Sequence, residues 1–297
     1  MNRVTMNVIF YNHEKFVQEA LEACFNQDYN SYDLVIRDDC SSDDTPKEIL
    51  KYLSRNEFTK GKLIVDLDTR NRGLIESHNR VLELSEGDVI VHQGGDDISM
   101  RHRISRSLEI MDRYSVDLVS ADGIIIDSDS SVIGDTWYRK YVKEPFKEFG
   151  HSPEENCVVI KKPDKITAYS VSFAGFGIAY KKRILGSACR FPNNLVVEDV
   201  YLTFLANVNN GSAVILEPLV YYRRHNKNVY KNRFDNFEEF LRWQLHWTKG
   251  ALNILSAERE YFTQFSARKE LKNASEIEEH LHLHAIKRNQ CFNNCWR

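Results

Sequence analysis

Three pairs of neighbouring carboxylates and one arginine-histidine cluster are where this sequence could do chemistry. Asp38-Asp39 runs into Cys40-Ser41-Ser42-Asp43-Asp44-Thr45. Two carboxylates together can accept hydrogen bonds from a base N–H or a ribose hydroxyl. The same run can also cap a helix opening at Pro46, with Asp44 or Thr45 as the cap. Asp96-Asp97 follows Gly94-Gly95. The glycines would let backbone approach a bulky ligand, and adjacent carboxylates suit a hard divalent cation such as Mg²⁺ or Mn²⁺ that also contacts phosphate oxygens. The competing reading is a polar turn before a helix at Arg101, capped by Ser99. Glu198-Asp199 lies between Val196-Val197 and Val200-Tyr201-Leu202. Such surroundings raise a carboxylate's pKa and suit a general base that takes a hydroxyl proton; an ordinary helix start would equally carry acids in its first turn. Tyr221-Tyr222-Arg223-Arg224-His225 can ligate a metal or grip a diphosphate.

The surrounding pattern predicts what holds these groups. Val4–Tyr11 is an apolar, β-branched run, as in a strand buried on both faces. Between Glu14 and Asn26, Phe16, Val17, Ala20, Leu21, Cys24 and Phe25 mark one stripe of a helix. Strands are expected at Tyr32–Arg37, Leu63–Leu67, Asp88–His92 and Val116–Ser120, and helices at Pro46–Arg55, Leu74–Leu84 and Arg101–Tyr114. Alternation at this spacing predicts an α/β fold with a mainly parallel central sheet flanked by helices. Ligands bind such sheets at the carboxyl ends of the strands. That singles out Tyr11-Asn12, Asp38-Asp39, Asn71-Arg72-Gly73 and Gly94 to Asp97. Residues 127–167 read as irregular acceptor-side structure, Ala213–Tyr222 as a strand interrupted by Pro218, and the chain beyond Asn236 as amphipathic helix.

The first strand-helix turn holds no G-x-G-x-x-G, which argues against a nicotinamide or flavin enzyme of the dinucleotide-binding kind, and no P-loop occurs anywhere. The net charge of −3 over 297 residues gives no reason to expect nucleic acid as a partner. The charge is uneven: 14 basic residues face 9 acidic ones from Arg223 to Arg297, against 26 and 34 before it. No apolar run reaches the roughly 18 residues a membrane span requires, and the N-terminal strand is not followed by a cleavage site. The expectation is a cytoplasmic protein whose six scattered cysteines are reduced thiols.

Taken in order, these elements resemble the inverting family 2 glycosyltransferases, which have a GT-A fold. The resemblance rests on Tyr11-Asn12, Asn26-Gln27-Asp28-Tyr29, Asp38-Asp39-Cys40-Ser41-Ser42-Asp43, Asn71-Arg72-Gly73, Glu86-Gly87-Asp88, Gly95-Asp96-Asp97, Glu198 to Leu202 and Tyr222 to His225. It extends to His225 and implies a glycosyltransferase domain over residues 1–225, with a nucleotide-sugar half at about 1–122 and an acceptor half at about 123–225. Residues 226–297 would form a helical C-terminal extension.

The resemblance implies a role for each matching position. Tyr11 lies against the nucleotide base, Asp39 accepts from uracil N3–H, Asp96 meets the ribose, and Asp97 binds Mn²⁺ or Mg²⁺. Asn12, Arg72 and Arg224 complete the nucleotide-sugar contacts. Asp199 is the catalytic base with Glu198 beside it, and His225 serves the diphosphate and the metal. The implied reaction moves a sugar from a nucleoside diphosphate, UDP favoured, to a hydroxyl of a glycan or lipid-linked acceptor. The family's metal motif is Asp-x-Asp-Asp, and its first Asp is Gly94 here, which leaves metal binding the least secured function. A sugar nucleotidyltransferase would want a Gly-rich basic loop where Tyr11-Asn12-His13 stands; a non-catalytic scaffold would not need Glu198, Asp199 and His225. The basic, aromatic tail at 226–297 fits a homodimer contact or peripheral contact with an anionic membrane. Its His280, His282, His284, Cys291 and Cys295 have spacings open to zinc, with an amphipathic helix as the plainer reading.

Overall fold

The computed structural model describes residues 3–136, 150–152, 156–161, 174–225, 228, 249–250, 253–254 and 256–261. One sheet of eleven strands organises the described residues. Strands β1 (Val4–Phe10), β2 (Asp33–Asp38), β3 (Leu63–Leu67) and β4 (Val89–Gly94) are joined by helices α1 (Val17–Phe25), α2 (Thr45–Leu53) and α3 (Leu74–Leu84). All their pairings are parallel, in the spatial order β3-β2-β1-β4. Every residue of β1 and β2 is buried, because helices cover both faces of the sheet.

Beyond β4 come the short β5 (Ile98–Ser99), helix α4 (Arg103–Tyr114), and strands β6 (Leu118–Ile126), β7 (Val132–Thr136), β8 (Gly150–Ser152), β9 (Cys157–Ile160) and β10 (Ile178–Lys181). Helix α5 (Asp199–Val208) and strand β11 (Ser212–Arg223) complete the set. Strand β10 lies antiparallel between β4 and β6, so β6 and its parallel neighbour β11 run the same way as β1 to β4. Six strands therefore end at one edge. A four-residue insertion against the grain carries no sequence periodicity of its own, which is why it was not foreseen. Pro218 does not break β11; the ladder to β6 shifts register around it instead, as a proline lacking a ladder donor requires.

The core has two main layers. Val8, Phe10, Leu21, Ile36 and Met111 belong to the larger cluster, with buried residues of α1, α2 and α4. Leu82 of α3 and Leu202, Leu205 and Ala206 of α5 pack in a second cluster that also takes in Ile254 and Ala257, from the helical residues described at 249–261. The tail's histidine-cysteine group lies outside the described residues.

Candidate functional site at the carboxyl edge of the sheet

The edge where six strands end gathers most of the residues singled out above. After β1 the chain passes Tyr11, which is 46% exposed, and turns at Asn12 with φ 59°. Asn12 is stitched to the β2 loop: its N–H donates to Ser41 Oγ at 2.8 Å and its Oδ1 accepts the Ser42 N–H at 2.8 Å. Thr45 Oγ1 accepts the His13 N–H at 2.8 Å. Asp43, not Asp44 or Thr45, accepts the first free N–H of α2, from Thr45 at 3.0 Å.

Asp38 and Asp39 spend their oxygens on this framework. Asp38 is fully buried and accepts the N–H and hydroxyl of Ser41. Burial raises its carboxyl above the usual range, against the pull of the Ser41 bonds. Asp39 Oδ1 accepts from Arg37 at 3.2 Å and from the Arg72 N–H at 2.9 Å, and Oδ2 accepts the Gly73 N–H at 2.8 Å. A carboxylate has about four acceptor positions, so Oδ2 keeps one for a ligand. Arg37, wholly buried, also bonds Asp66 and Asp68. The Arg72 side chain points to Asp68 at 2.6 Å and is about half exposed.

Asp96 and Asp97 part company. Asp97 is 3% exposed, and its Oδ1 accepts the Arg223 N–H at 2.9 Å. Burial, reinforced by the Asp96 charge, pushes its carboxyl well above the ordinary value. Asp96 Oδ2 faces the mouth, 2.9 Å from His225 Nε2, 3.8 Å from His13 Nε2 and 3.3 Å from the Asn228 amide. Burial would raise the Asp96 carboxyl, but the His225 bond and the charges of His13 and His225 bring it below the ordinary value. One ligand atom each from His13, Asp96 and His225 falls within 4.8 Å of the other two, the spacing of a group that could hold a metal ion. Asp97 is not in that group.

The two glycines lie tight against their surroundings. A Cβ on Gly94 would stand 2.9 Å from Asp96 Oδ1 and 3.0 Å from Asp97 Oδ2, so both acids already lean over that position. On Gly95 it would collide with Phe10 and the Ile9 carbonyl and come 2.7 Å from His13 Nδ1.

Arg223 was read as a diphosphate grip and turns out to be buried and fully engaged. Its Nε donates to the Asp96 carbonyl at 2.8 Å, Nη1 to the Asp127 carbonyl and Ser130 Oγ, and Nη2 to Glu19 at 2.7 Å, with the guanidinium 4.6 Å above the Phe16 ring. It fixes the loop that presents Asp96. Arg224, half-buried, donates its N–H to the Ile126 carbonyl at 2.8 Å, which orients His225 at the end of β11. His13, Asn228 and Glu19 were not singled out by sequence. His13 adjoins Tyr11-Asn12 at a strand's carboxyl end, and that position was its available signal.

Glu198 and Asp199 open α5, Glu198 as N-cap and Asp199 in the first turn. The helix start is also where the buried carboxyl lies. Glu198 is the one that burial raises, to about 7. Asp199 is half-buried, and its Oδ1 accepts the Val200 N–H at 2.7 Å. The short turn Gly175–Gly177 packs against β4, β6 and β11; a Cβ on Gly175 would be 3.1 Å from Glu198 Oε1 and 3.5 Å from Asp199 Oδ2. That turn thus links the two acids to the strands bearing Asp96 and His225.

Residues 6–170 match the family model "Glycosyl transferase family 2", and the chain belongs to that family. It is 28% identical over 132 residues to the putative glycosyltransferase EpsE of Bacillus subtilis, covering 44% of this chain and 46% of EpsE. The chain thus spans about half the length of that relative. With the Escherichia coli enzyme WfaP, a UDP-Glc:α-D-GlcNAc-diphosphoundecaprenol β-1,3-glucosyltransferase, it shares 24% identity over 79% of this chain and 82% of WfaP. Among solved structures, the mannosyltransferase PcManGT of Pyrobaculum calidifontis, in complex with GDP-Man and Mn²⁺, superposes with a TM-score of 0.60 at 18% identity, over 96% of this chain and 69% of that one. The fold is GT-A, a mostly parallel sheet flanked by helices.

Proposed function

We propose that this chain is an inverting glycosyltransferase that moves a sugar from a nucleoside diphosphate, UDP favoured, to a hydroxyl of a glycan or lipid-linked acceptor. The observation that carries it is the cluster of Asp96, His225 and His13 at the carboxyl edge of the sheet, beside exposed Tyr11 and the free acceptor position on Asp39. WfaP, named for a UDP-sugar donor and a diphosphoundecaprenol-linked acceptor, supports that choice of substrates.

The ring of Tyr11 offers a base a stacking face, and Asp39 Oδ2 accepts the N3–H of uracil or thymine; the half-exposed Arg72, with Asn12, borders the nucleotide. Arg224 contributes positive charge near the diphosphate. Asp199 takes the proton of the acceptor hydroxyl as its oxygen bonds to the anomeric carbon. The bond from that carbon to the diphosphate oxygen breaks, and the electron pair leaves with the nucleotide on the opposite face, so configuration inverts. Glu198 adjoins Asp199 at the start of α5.

The donor set fits a divalent metal differently from the sequence expectation. Asp96, His225 and His13 would hold it, with Asp97 supporting Asp96 from behind, because Asp97 is buried on Arg223. Two imidazoles with one carboxylate favour Mn²⁺ over Mg²⁺. Such an ion, when bound, neutralises charge on the departing diphosphate. Among the described residues no helix is long and apolar enough to cross a membrane; peripheral membrane contact or a homodimer is proposed for 226–297.

The test is nucleotide release from a panel of UDP-, dTDP- and GDP-sugars with Mn²⁺ or Mg²⁺ and a lipid-diphosphate saccharide acceptor, with the product's anomeric configuration read by NMR. Release in wild type that is lost in Asp199→Asn is expected. A non-catalytic scaffold would bind a nucleotide sugar and release nothing, and retained configuration in the product would overturn the single-displacement mechanism.

A further inference from the structure

Behind the start of α5 lies a second group of ligand-type side chains, separate from the one at the mouth. His78 projects from α3, His92 from β4, and Glu198 caps α5; one ligand atom of each falls within 4.8 Å of the other two. All three are buried, at 2%, 8% and 7% exposure.

The protons do not add up in a group built only of protein. His92 Nδ1 lies 2.6 Å from Asn7 Oδ1, an atom that can only accept, so the ring proton is on Nδ1 and Nε2 keeps its lone pair. A polar partner that fixes the tautomer in this way is the usual companion of a metal-ligating histidine. His78 Nε2 and Glu198 Oε2 face each other at 3.5 Å, and neither makes a hydrogen bond. His78 Nε2 and Glu198 Oε2, both buried without a hydrogen bond, thus converge with a ligand nitrogen of His92. Leaving a buried polar atom bare costs free energy. A cation held between them and His92 removes that cost for both at once.

The donor chemistry selects the cation. Two imidazoles and one carboxylate are poor ligands for Mg²⁺ or Ca²⁺ and good ones for Zn²⁺. Zinc bonds of about 2.0–2.2 Å in a tetrahedron put ligand atoms roughly 3.3–3.5 Å apart, and the His78–Glu198 separation already matches. The Arg103 guanidinium, which bonds the His92 carbonyl, opposes a cation here, and the Glu198 carboxylate offsets it.

We propose that His78, His92 and Glu198 form a structural site for Zn²⁺ or a similar transition-metal dication that pins the start of α5 to α3 and β4. The site holds the helix that carries Asp199, but it stands whether or not Asp199 is the base.

The test uses the full chain carrying Asp96→Asn, His225→Asn, His280→Asn, His284→Asn, Cys291→Ser and Cys295→Ser, which remove metal ligands from the edge site and the tail. After EDTA and desalting, the protein is loaded with Zn²⁺ or Co²⁺, washed, and analysed by mass spectrometry of the metal. About one retained equivalent is expected, with a visible Co²⁺ absorption and a Tm that Zn²⁺ raises. His92→Asn in that background should abolish retention. Asn7→Ala, milder for the fold, should weaken it roughly 10–100-fold. No retained metal, or retention unmoved by both His92→Asn and Asn7→Ala, overturns the proposal; donor-sugar turnover plays no part in the readout.

Discussion

Asp38-Asp39 and Asp96-Asp97 look alike in sequence, since each is a carboxylate pair at the end of a buried parallel strand beside β1. The structure uses them differently. The β2 pair is largely absorbed into the fold, with Asp38 on Ser41 and Asp39 holding Arg37 and the backbone of Arg72 and Gly73, so that only Asp39 Oδ2 keeps one acceptor position. The β4 pair is divided: Asp97 is spent on the Arg223 N–H, and Asp96 turns outward to His225 and His13. What separates them is the supply of donors. Where a loop brings enough N–H groups, carboxylates become scaffold; where the segments after β1 and β11 bring imidazoles, one of them remains for chemistry.

The largest effect that tests this contrast concerns Asp96 against Asp97. Asp96→Asn should lower kcat by about 10²–10³-fold, the usual loss when one preorganised electrostatic group goes. Asp97→Asn should cost less than about 10-fold, because burial already favours the uncharged acid and an amide oxygen can still accept the Arg223 N–H. Metal-dependent release of nucleotide from both variants measures the difference, and a more damaging Asp97→Asn would reverse the assignment.

The second test breaks the scaffold side. Arg37→Met leaves Asp39, Asp66 and Asp68 without their buried cation. Removing one partner of a buried ion-paired group costs about 3–5 kcal/mol. Urea unfolding should show a loss of that order, whereas Lys51→Ala, removing a pair on the surface of α2, should cost no more than about 1 kcal/mol.

How much of this was legible follows from the same contrast. Strands β1, β2 and β4 announced themselves because burial on both faces demands apolar runs, and the loops after the parallel strands could be named as the ligand edge from that topology alone. Strands β5 and β10 are too short to show a period. The resemblance divides Asp96 from Asp97 by giving the metal to Asp97; that Asp97 is instead taken up by the Arg223 N–H could not be read, because Arg223 lies 126 positions away along the chain. The structural part that Arg223 plays is hidden for a similar reason. Its four acceptors, at Glu19, Asp96, Asp127 and Ser130, meet only once the sheet has closed.

A pH experiment sharpens the scaffold side further. The hydrogen bond from Arg72, and then that from Arg37, hold the Asp68 carboxyl well below the usual range. A carboxyl depressed in the folded state contributes stability that is present above its unfolded pKa of about 4 and is lost as pH falls below it. Wild type should therefore weaken steadily from pH 4 downward, and Asp68→Asn should flatten that part of the curve while lowering stability at pH 7. Thermal unfolding at each pH is the measurement; an unchanged acid limb in the variant would remove Asp68 from the account.

The smallest effect isolates the backbone of the β2 loop. Cys40 follows Asp39 with φ 59°, in the left-handed region where a side chain costs about 1–2 kcal/mol and glycine costs nothing. Cys40→Gly relieves that strain but gives the unfolded chain more freedom, worth roughly 0.5–1 kcal/mol in the other direction. A net stabilisation below about 1 kcal/mol is expected, with kcat unchanged. That turn is what lets Ser41 fold back onto Asp38 and meet Asn12, so a glycine that already favours it should leave both contacts in place. A substantial loss of stability would mean that the Cys40 side chain, half-buried between the two loops, contributes packing that outweighs its strained backbone.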